Sequence, residues 1–230
     1  MNTSAGRKPL KAIFFDFDGT LVNSEPLHFQ MWQQVLAAYG VGLTVEQYKE
    51  HYAGVPTTLN AEDMVKRFAL PVPHNVISDA KKTLTRAVVA SAGFPLMPAV
   101  RDILAHFSGH DLKLGIVTGA ARRNVDVTLR VHALHDYFSV IVSGEDISRN
   151  KPAPDCYLLA MAQLGITPAE CLTFEDTESG VRAAASAGVA CLAVPTPMSA
   201  HHDFSTAEGV FASLQEASAW VDTTFLTGTK

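Results

Sequence analysis

Apolar residues in this chain gather into short runs separated by longer stretches of helical spacing. The runs at 12–15, 112–117, 140–142, 171–174 and 190–194 have strand length and do not alternate apolar with polar positions. An unbroken apolar run belongs to a strand covered on both faces, as in a parallel sheet held between helices. Between the runs, 99–107, 123–132, 157–164 and 181–187 place apolar residues one helical turn apart, and Gly165 and Gly188 mark the ends of two of them. The alternation predicts a doubly wound α/β core.

It breaks between Leu27 and about Phe94. That segment carries helical patterns at 29–39, 45–52, 59–68 and 76–92 and no strand. Asn23, Ser24 and Pro26 punctuate the exit, and Pro95 and Pro98 the return, so both crossings have the chemistry of turns. The expected organisation is a Rossmann-like doubly wound parallel-sheet core, residues 1–23 and 95–230, with an inserted all-helical cap, residues 24–94, that opens and closes on two hinges. No repeat or low-complexity tract interrupts this plan, and 223–230 is expected to be a loose tail.

Composition narrows the partners. With 47% hydrophobic and 18% charged residues the chain of 230 can bury a sizeable core. A formal net charge of -5 argues against a nucleic-acid surface and for small solutes. Cys156, Cys171 and Cys191 are odd in number, widely spaced and without a C-x-x-C pair, so they read as buried thiols rather than a disulfide framework or zinc site. No apolar run reaches signal-peptide or membrane-spanning length, and a cytoplasmic protein without a membrane partner is expected.

In an open parallel sheet the ligand lies beyond the carboxyl ends of the strands. The predicted strands run there into Asp16-Phe17-Asp18-Gly19-Thr20, Thr118-Gly119, Gly144-Glu145-Asp146 and Glu175-Asp176, with Lys151 shortly after the third. An isolated Asp-x-Asp is usually a turn or helix cap, and a lone Lys-Pro a solvated loop. Their coincidence at successive strand ends is something packing does not require. Carboxylates crowded at one edge need a cation, and a donor set made only of oxygens selects Mg2+ over zinc. Lys151 and the Thr118 hydroxyl supply what a transferring phosphoryl group needs. Asp155 reads instead as a helix cap, and His201 and His202 as solvated loop residues without partners.

Asp16-Phe17-Asp18-Gly19-Thr20-Leu21-Val22, Thr118-Gly119, Lys151-Pro152-Ala153-Pro154-Asp155 and Phe174-Glu175-Asp176-Thr177-Glu178-Ser179-Gly180 resemble the four motifs of the haloacid dehalogenase superfamily, in that family's order. The insertion after the first motif is similar to the helical cap of the subgroup containing β-phosphoglucomutase and sugar-phosphate phosphatases. The resemblance implies that Asp16 is a nucleophile forming an aspartyl-phosphate and Asp18 a general acid and base whose backbone carbonyl also binds metal. It implies that Thr118 and Lys151, with the amides of Gly119 and Ala120, hold the phosphoryl group. Glu175 and Asp176 would complete the Mg2+ site with Asp16, Glu175 directly or through a water. An aspartate two positions after the nucleophile favours phosphate esters, because the true dehalogenases and phosphonoacetaldehyde hydrolases lack it.

His28 and the turn Gly54-Val55-Pro56 are similar to β-phosphoglucomutase, yet Thr57 stands where that enzyme has a substrate-binding arginine. Nothing near Thr57 or Thr58 in sequence supplies a second cation, which weighs against a mutase; Lys49, Lys66 and Arg67 are the candidate substitutes. Arg122, soon after Thr118, is a further candidate to reach substrate. The leading expectation is a phosphatase for a small phosphorylated metabolite such as a sugar phosphate, acting as a monomer or weak dimer. The alternative is an intramolecular phosphomutase. A non-catalytic binding module is disfavoured because every motif residue is present.

Overall fold

The structure, a computed structural model, describes residues 8–226. Strands β1 (Ala12–Phe15), β2 (Lys113–Val117), β3 (Phe138–Val142), β4 (Cys171–Glu175), β5 (Ala190–Ala193) and β6 (Gly209–Val210) form one parallel sheet in the order β3-β2-β1-β4-β5-β6. Side chains of β1 alternate between two apolar layers, which is why the run itself shows no polar position. Ile13 and Phe15 face a layer with α5 (Val100–Ser108), α6 (Arg122–Val131) and α9 (Leu214–Val221). Ala12 and Phe14 face Tyr157 and Val181 on α7 (Asp155–Leu164) and α8 (Glu178–Ser186). Phe15 pairs in register with Phe174 and stacks on it at 5.1 Å. Each such buried ring contributes roughly 1.5–3 kcal/mol relative to leaving it exposed.

Six of the eight predicted helices start one to four residues earlier than expected, because first turns carry polar residues that apolar periodicity misses; the helix at Val45–His51 starts where expected and α5 one residue later. α8 begins at Glu178, where the Thr177 hydroxyl accepts from the Gly180 amide at 3.2 Å. Asp155, expected as a cap, is the first residue of α7 and pairs bidentately with Arg149 at 2.7 and 3.0 Å. The edge strand β6 is too short to leave a periodic signal. The expected loose tail is partly helical: a π-helical turn spans Asp222–Leu226 and its Phe225 packs against Trp220. Residues 227–230 lie outside the described residues.

Four helices, α1 (Glu25–Ala37), α2 (Val45–His51), α3 (Thr57–Arg67) and α4 (His74–Ala92), stand between β1 and α5 and bury their own cluster around Trp32, Leu36, Tyr48, Tyr52, Met64 and Ile77. The two chain crossings run side by side. The Asn23 amide donates to the Pro95 carbonyl at 2.8 Å and the Met97 amide to the Leu21 carbonyl at 3.0 Å. All three cysteines are buried free thiols. Among the described residues no helix is long and apolar enough to cross a membrane.

After β3 the chain returns to the far side of β1, so the strand order reverses between β1 and β4. A crevice at the carboxyl ends of those two strands is the natural ligand site of such a sheet.

Candidate active site

The residues that end β1 and β4 meet in that crevice. Asp16 follows β1, and its amide donates to the Phe174 carbonyl at 3.0 Å, continuing the ladder. Glu175 closes β4 and Asp176 follows it. All three carboxylates are buried, each with an oxygen within 4.8 Å of the others. Burial pushes each upward in pKa, Glu175 to about 7; repulsion from Asp18 adds to the rise of Asp16, and repulsion within the cluster adds to that of Glu175 and Asp176.

One cation reaches into this cluster. Lys151, from the loop after β3, donates through Nζ to Asp16 Oδ1 at 2.7 Å, Glu175 Oε1 at 2.6 Å and the Val117 carbonyl at 2.8 Å. Burial disfavours its charge, but Asp16 and Glu175 outweigh burial and hold the ammonium well above its ordinary pKa. Tyr157 donates its hydroxyl to the same Glu175 oxygen.

A single ammonium among three carboxylates leaves negative charge unbalanced. Glu175 Oε2 and Asp176 Oδ1 are buried and accept no hydrogen bond. An all-oxygen donor set with orphaned buried acceptors fits a hard divalent cation. Two glycines allow the packing: a Cβ on Gly19, whose φ is +81°, would overlap Asp176 Oδ2, and one on Gly180 would overlap Glu175 Oε2.

Asp18 stands apart from that cluster. Its Oδ1 lies 3.6 Å from His28 Nε2, while His28 Nδ1 lies 3.2 Å from Lys81 Nζ, which also donates to Thr57 Oγ1 at 3.2 Å. Burial pushes Asp18 up, but His28, Ser24 and Lys81 together overcome it and hold the carboxyl below its ordinary value. Burial pushes Lys81 down to about 8. A polar chain thus runs from the end of β1 into the helical unit. Between the two lies a cavity of about 810 Å³.

Asp16, Asp18, His28, Thr57, Thr118, Gly119, Ala120 and Lys151 all line this cavity; Glu175 and Asp176 do not line it but lie buried beside Asp16. Thr118 continues β2, its amide donating to the Val142 carbonyl at 2.9 Å, and its Oγ1 accepts from the Ala120 amide at 3.1 Å.

Three expectations need correction. Arg122 does not line the cavity: its side chain is held by Asp126 Oδ1 at 2.9 Å and the Ile141 carbonyl at 3.4 Å, and Arg123, one helical step further, lines the cavity instead. The region of Thr57 is not without a cation, because Lys81 comes to it from α4. Of the substitutes considered, Arg67 is paired with Asp63, Lys66 is exposed, and Lys49 lines a separate cleft. His202 is not an unpartnered loop residue; its Nδ1 accepts from the Glu178 amide at 3.3 Å and its ring packs on His201 and Phe204.

Lys81 was missed because only packing reveals it, yet a signal existed. It falls on the buried stripe Ile77, Lys81, Thr85, Val89 of α4, where a lysine is out of place unless it serves a site.

A family model described as haloacid dehalogenase-like hydrolase matches residues 13–194. The chain is 33% identical over 218 residues to protein CbbY of Rhodobacter capsulatus, covering 90% of this chain and 95% of that protein. It is 32% identical over 188 residues to the phosphorylated carbohydrates phosphatase of Thermotoga maritima, covering 78% and 82% of the two chains. Among solved structures, a mutant of CbbY from Rhodobacter sphaeroides in complex with xylulose-(1,5)bisphosphate has a TM-score of 0.79 at 28% identity, covering 89% of this chain and 94% of that one.

Proposed function

Because the chain belongs to the haloacid dehalogenase-like hydrolase family, we propose that it is a cytoplasmic, Mg2+-dependent phosphatase for a small sugar phosphate, with residues 24–94 as its cap. The relatives named for phosphatase activity on carbohydrates support the substrate class. The observation that carries the chemistry is the contact of Lys151 with both Asp16 and Glu175 at the floor of the cavity.

In this reading an Asp16 carboxylate oxygen attacks phosphorus and the bond to the leaving alkoxide breaks, giving an aspartyl-phosphate. Lys151, the Thr118 hydroxyl and the Gly119 and Ala120 amides receive the phosphoryl oxygens, the Ala120 N–H exchanging its present acceptor on Thr118 for the substrate. Asp18 gives its proton to the alkoxide and later takes one from the water that attacks the aspartyl-phosphate, releasing inorganic phosphate and restoring Asp16. Asp18 is held ionised before substrate arrives; a dianionic phosphate beside it raises its pKa and lets it carry the proton. Bound on Asp16, Glu175 and Asp176, with the Asp18 carbonyl, Mg2+ would supply the charge that shields these carboxylates from the phosphate. The cap excludes bulk water while the leaving group departs.

The test is phosphate release from a panel of sugar phosphates with Mg2+ and with EDTA, in wild type and Asp16→Asn. Release that requires both metal and Asp16 is expected; an active Asp16→Asn protein refutes the scheme.

One observation favours a second reading, an intramolecular phosphomutase: Lys81 supplies beside Thr57 a cap cation of the kind that holding a second phosphate requires. Isomerisation of a hexose phosphate, stimulated by a bisphosphate and faster than hydrolysis, would establish it. Its absence with active hydrolysis would remove it.

A further inference from the structure

We propose that Tyr157 is a positioning residue whose hydroxyl keeps Glu175 in place when Lys151 turns from it to the phosphoryl group, an inference that rests on the phosphatase reading. Tyr157 stands in the first turn of α7 and is fully buried. Its hydroxyl lies 3.1 Å from Thr173 Oγ1 and donates to Glu175 Oε1. Thr173 and Glu175 are two apart on β4 and so share one face of the sheet.

Packing does not ask for this line of polar groups. The layer around it is apolar, and the Tyr157 ring packs on Phe14 with centroids 6.3 Å apart. A phenylalanine would fill the same space, and Thr173 alone would satisfy a buried tyrosine hydroxyl. The bond to Glu175 therefore calls for a reason in the site.

Lys151 supplies that reason. An ammonium has three protons, and Lys151 Nζ places all three, on Asp16 Oδ1, Glu175 Oε1 and the Val117 carbonyl. To meet a phosphoryl oxygen it must release one of them. A buried carboxylate oxygen left without a donor is costly. Releasing Glu175 Oε1 avoids that cost, because Tyr157 remains on it. The carboxylate keeps its orientation, and Oε2, which accepts no hydrogen bond, stays free for a cation. The Tyr157 ring also supports the ammonium, which lies 5.6 Å from its centroid, and does so with or without the hydroxyl. Removing the hydroxyl alone separates the two effects.

The experiment follows Mg2+ binding through the rise it causes in melting temperature, with and without inorganic phosphate, in wild type and Tyr157→Phe. The variant keeps the ring, Thr173 Oγ1 keeps the Phe174 carbonyl at 3.5 Å and Glu175 keeps Lys151, so cooperative melting in EDTA is expected. Without phosphate the two proteins should bind Mg2+ alike, because Lys151 still holds Oε1. With phosphate, Tyr157→Phe should need about tenfold or more Mg2+ for the same rise, the scale of losing an outer-shell partner. In Lys151→Met, where the ammonium is gone, adding Tyr157→Phe should weaken Mg2+ binding by a similar factor without phosphate. Failure of either arm overturns the assignment. A purely structural hydroxyl would weaken binding equally with and without phosphate, or its loss would abolish cooperative melting, and each of these results overturns it as well. If wild type releases phosphate from sugar phosphates while Tyr157→Phe binds Mg2+ as wild type does in both conditions, this inference falls and the phosphatase stands. If wild type releases none from sugar phosphates or from p-nitrophenyl phosphate, the phosphatase reading falls and takes this inference with it.

Discussion

Lys151 Nζ lies 2.7 Å from Asp16 Oδ1 across 135 residues of sequence, and the nucleophile of the proposed reaction is thereby fixed by a residue from another loop. Replacing Lys151 by Met leaves Asp16 and Glu175 buried without their counter-charge. Phosphate release is expected to fall by at least about a hundredfold. The unfolding free energy in EDTA should fall by about 3–5 kcal/mol, the cost of breaking a buried pair from one side. Denaturant melts and a phosphate assay check the two effects separately, and an undiminished rate would remove Lys151 from the machinery.

Gly19 tests the cation site without changing any carboxylate. In Gly19→Ala the new Cβ overlaps Asp176 Oδ2, and the residue is strained at a φ of +81°. Asp176 must then swing away. The expected result is at least about tenfold weaker Mg2+ activation in a protein that still melts cooperatively. Unchanged Mg2+ titration of activity would show that Asp176 does not hold the ion.

Glu175 makes the metal-free protein pH-sensitive. Its folded pKa, about 7, lies above the ordinary 4.5. The folded state therefore holds a proton that the unfolded state has lost between those values. The resulting stability is complete below about pH 4.5 and is lost as pH rises through 7, amounting to about 3 kcal/mol. In EDTA the melting temperature should drop between pH 5 and 8 by more in wild type than in Glu175→Gln. Mg2+ should raise it more at pH 8 than at pH 5, because protons compete for the same oxygens. Equal pH slopes in the two proteins would contradict the assignment.

Lys81 predicts the alkaline limb of activity. A protonated Lys81 donates to His28 Nδ1, which leaves the imidazole proton on Nε2, facing Asp18. Lys81 is pushed down to about 8, so its charge is present below that pH and lost above it. In kcat/KM, which reports the free enzyme, wild type should decline above about pH 8. Lys81→Met should lack this limb and be slower at neutral pH; an alkaline limb unaltered in the variant would assign it to another group.

The sequence by itself determined the parallel sheet, its covering helices and the helical insertion. Each is written in a local period: strand-length runs such as Ala12–Phe15 without polar interruption, and helices with one apolar stripe. It also determined which polar residues gather at one edge of the sheet, because strand ends fall next to strands in the chain and the sheet lines them up. Asp16, Thr118, Lys151, Glu175 and Asp176 were legible for that reason. Tertiary structure decided what depends on the direction of a side chain across an interface. It turned Arg122 onto Asp126 and brought Arg123 to the cavity, a difference of one helical step. It carried Lys81 to Thr57 and His28 across 24 and 53 residues, and bound Glu25 to Tyr48 and the Gly54 turn. Such contacts have no period along the chain. They exist only once independent helices are packed, and there the low dielectric and the absence of competing water set which polar groups pair.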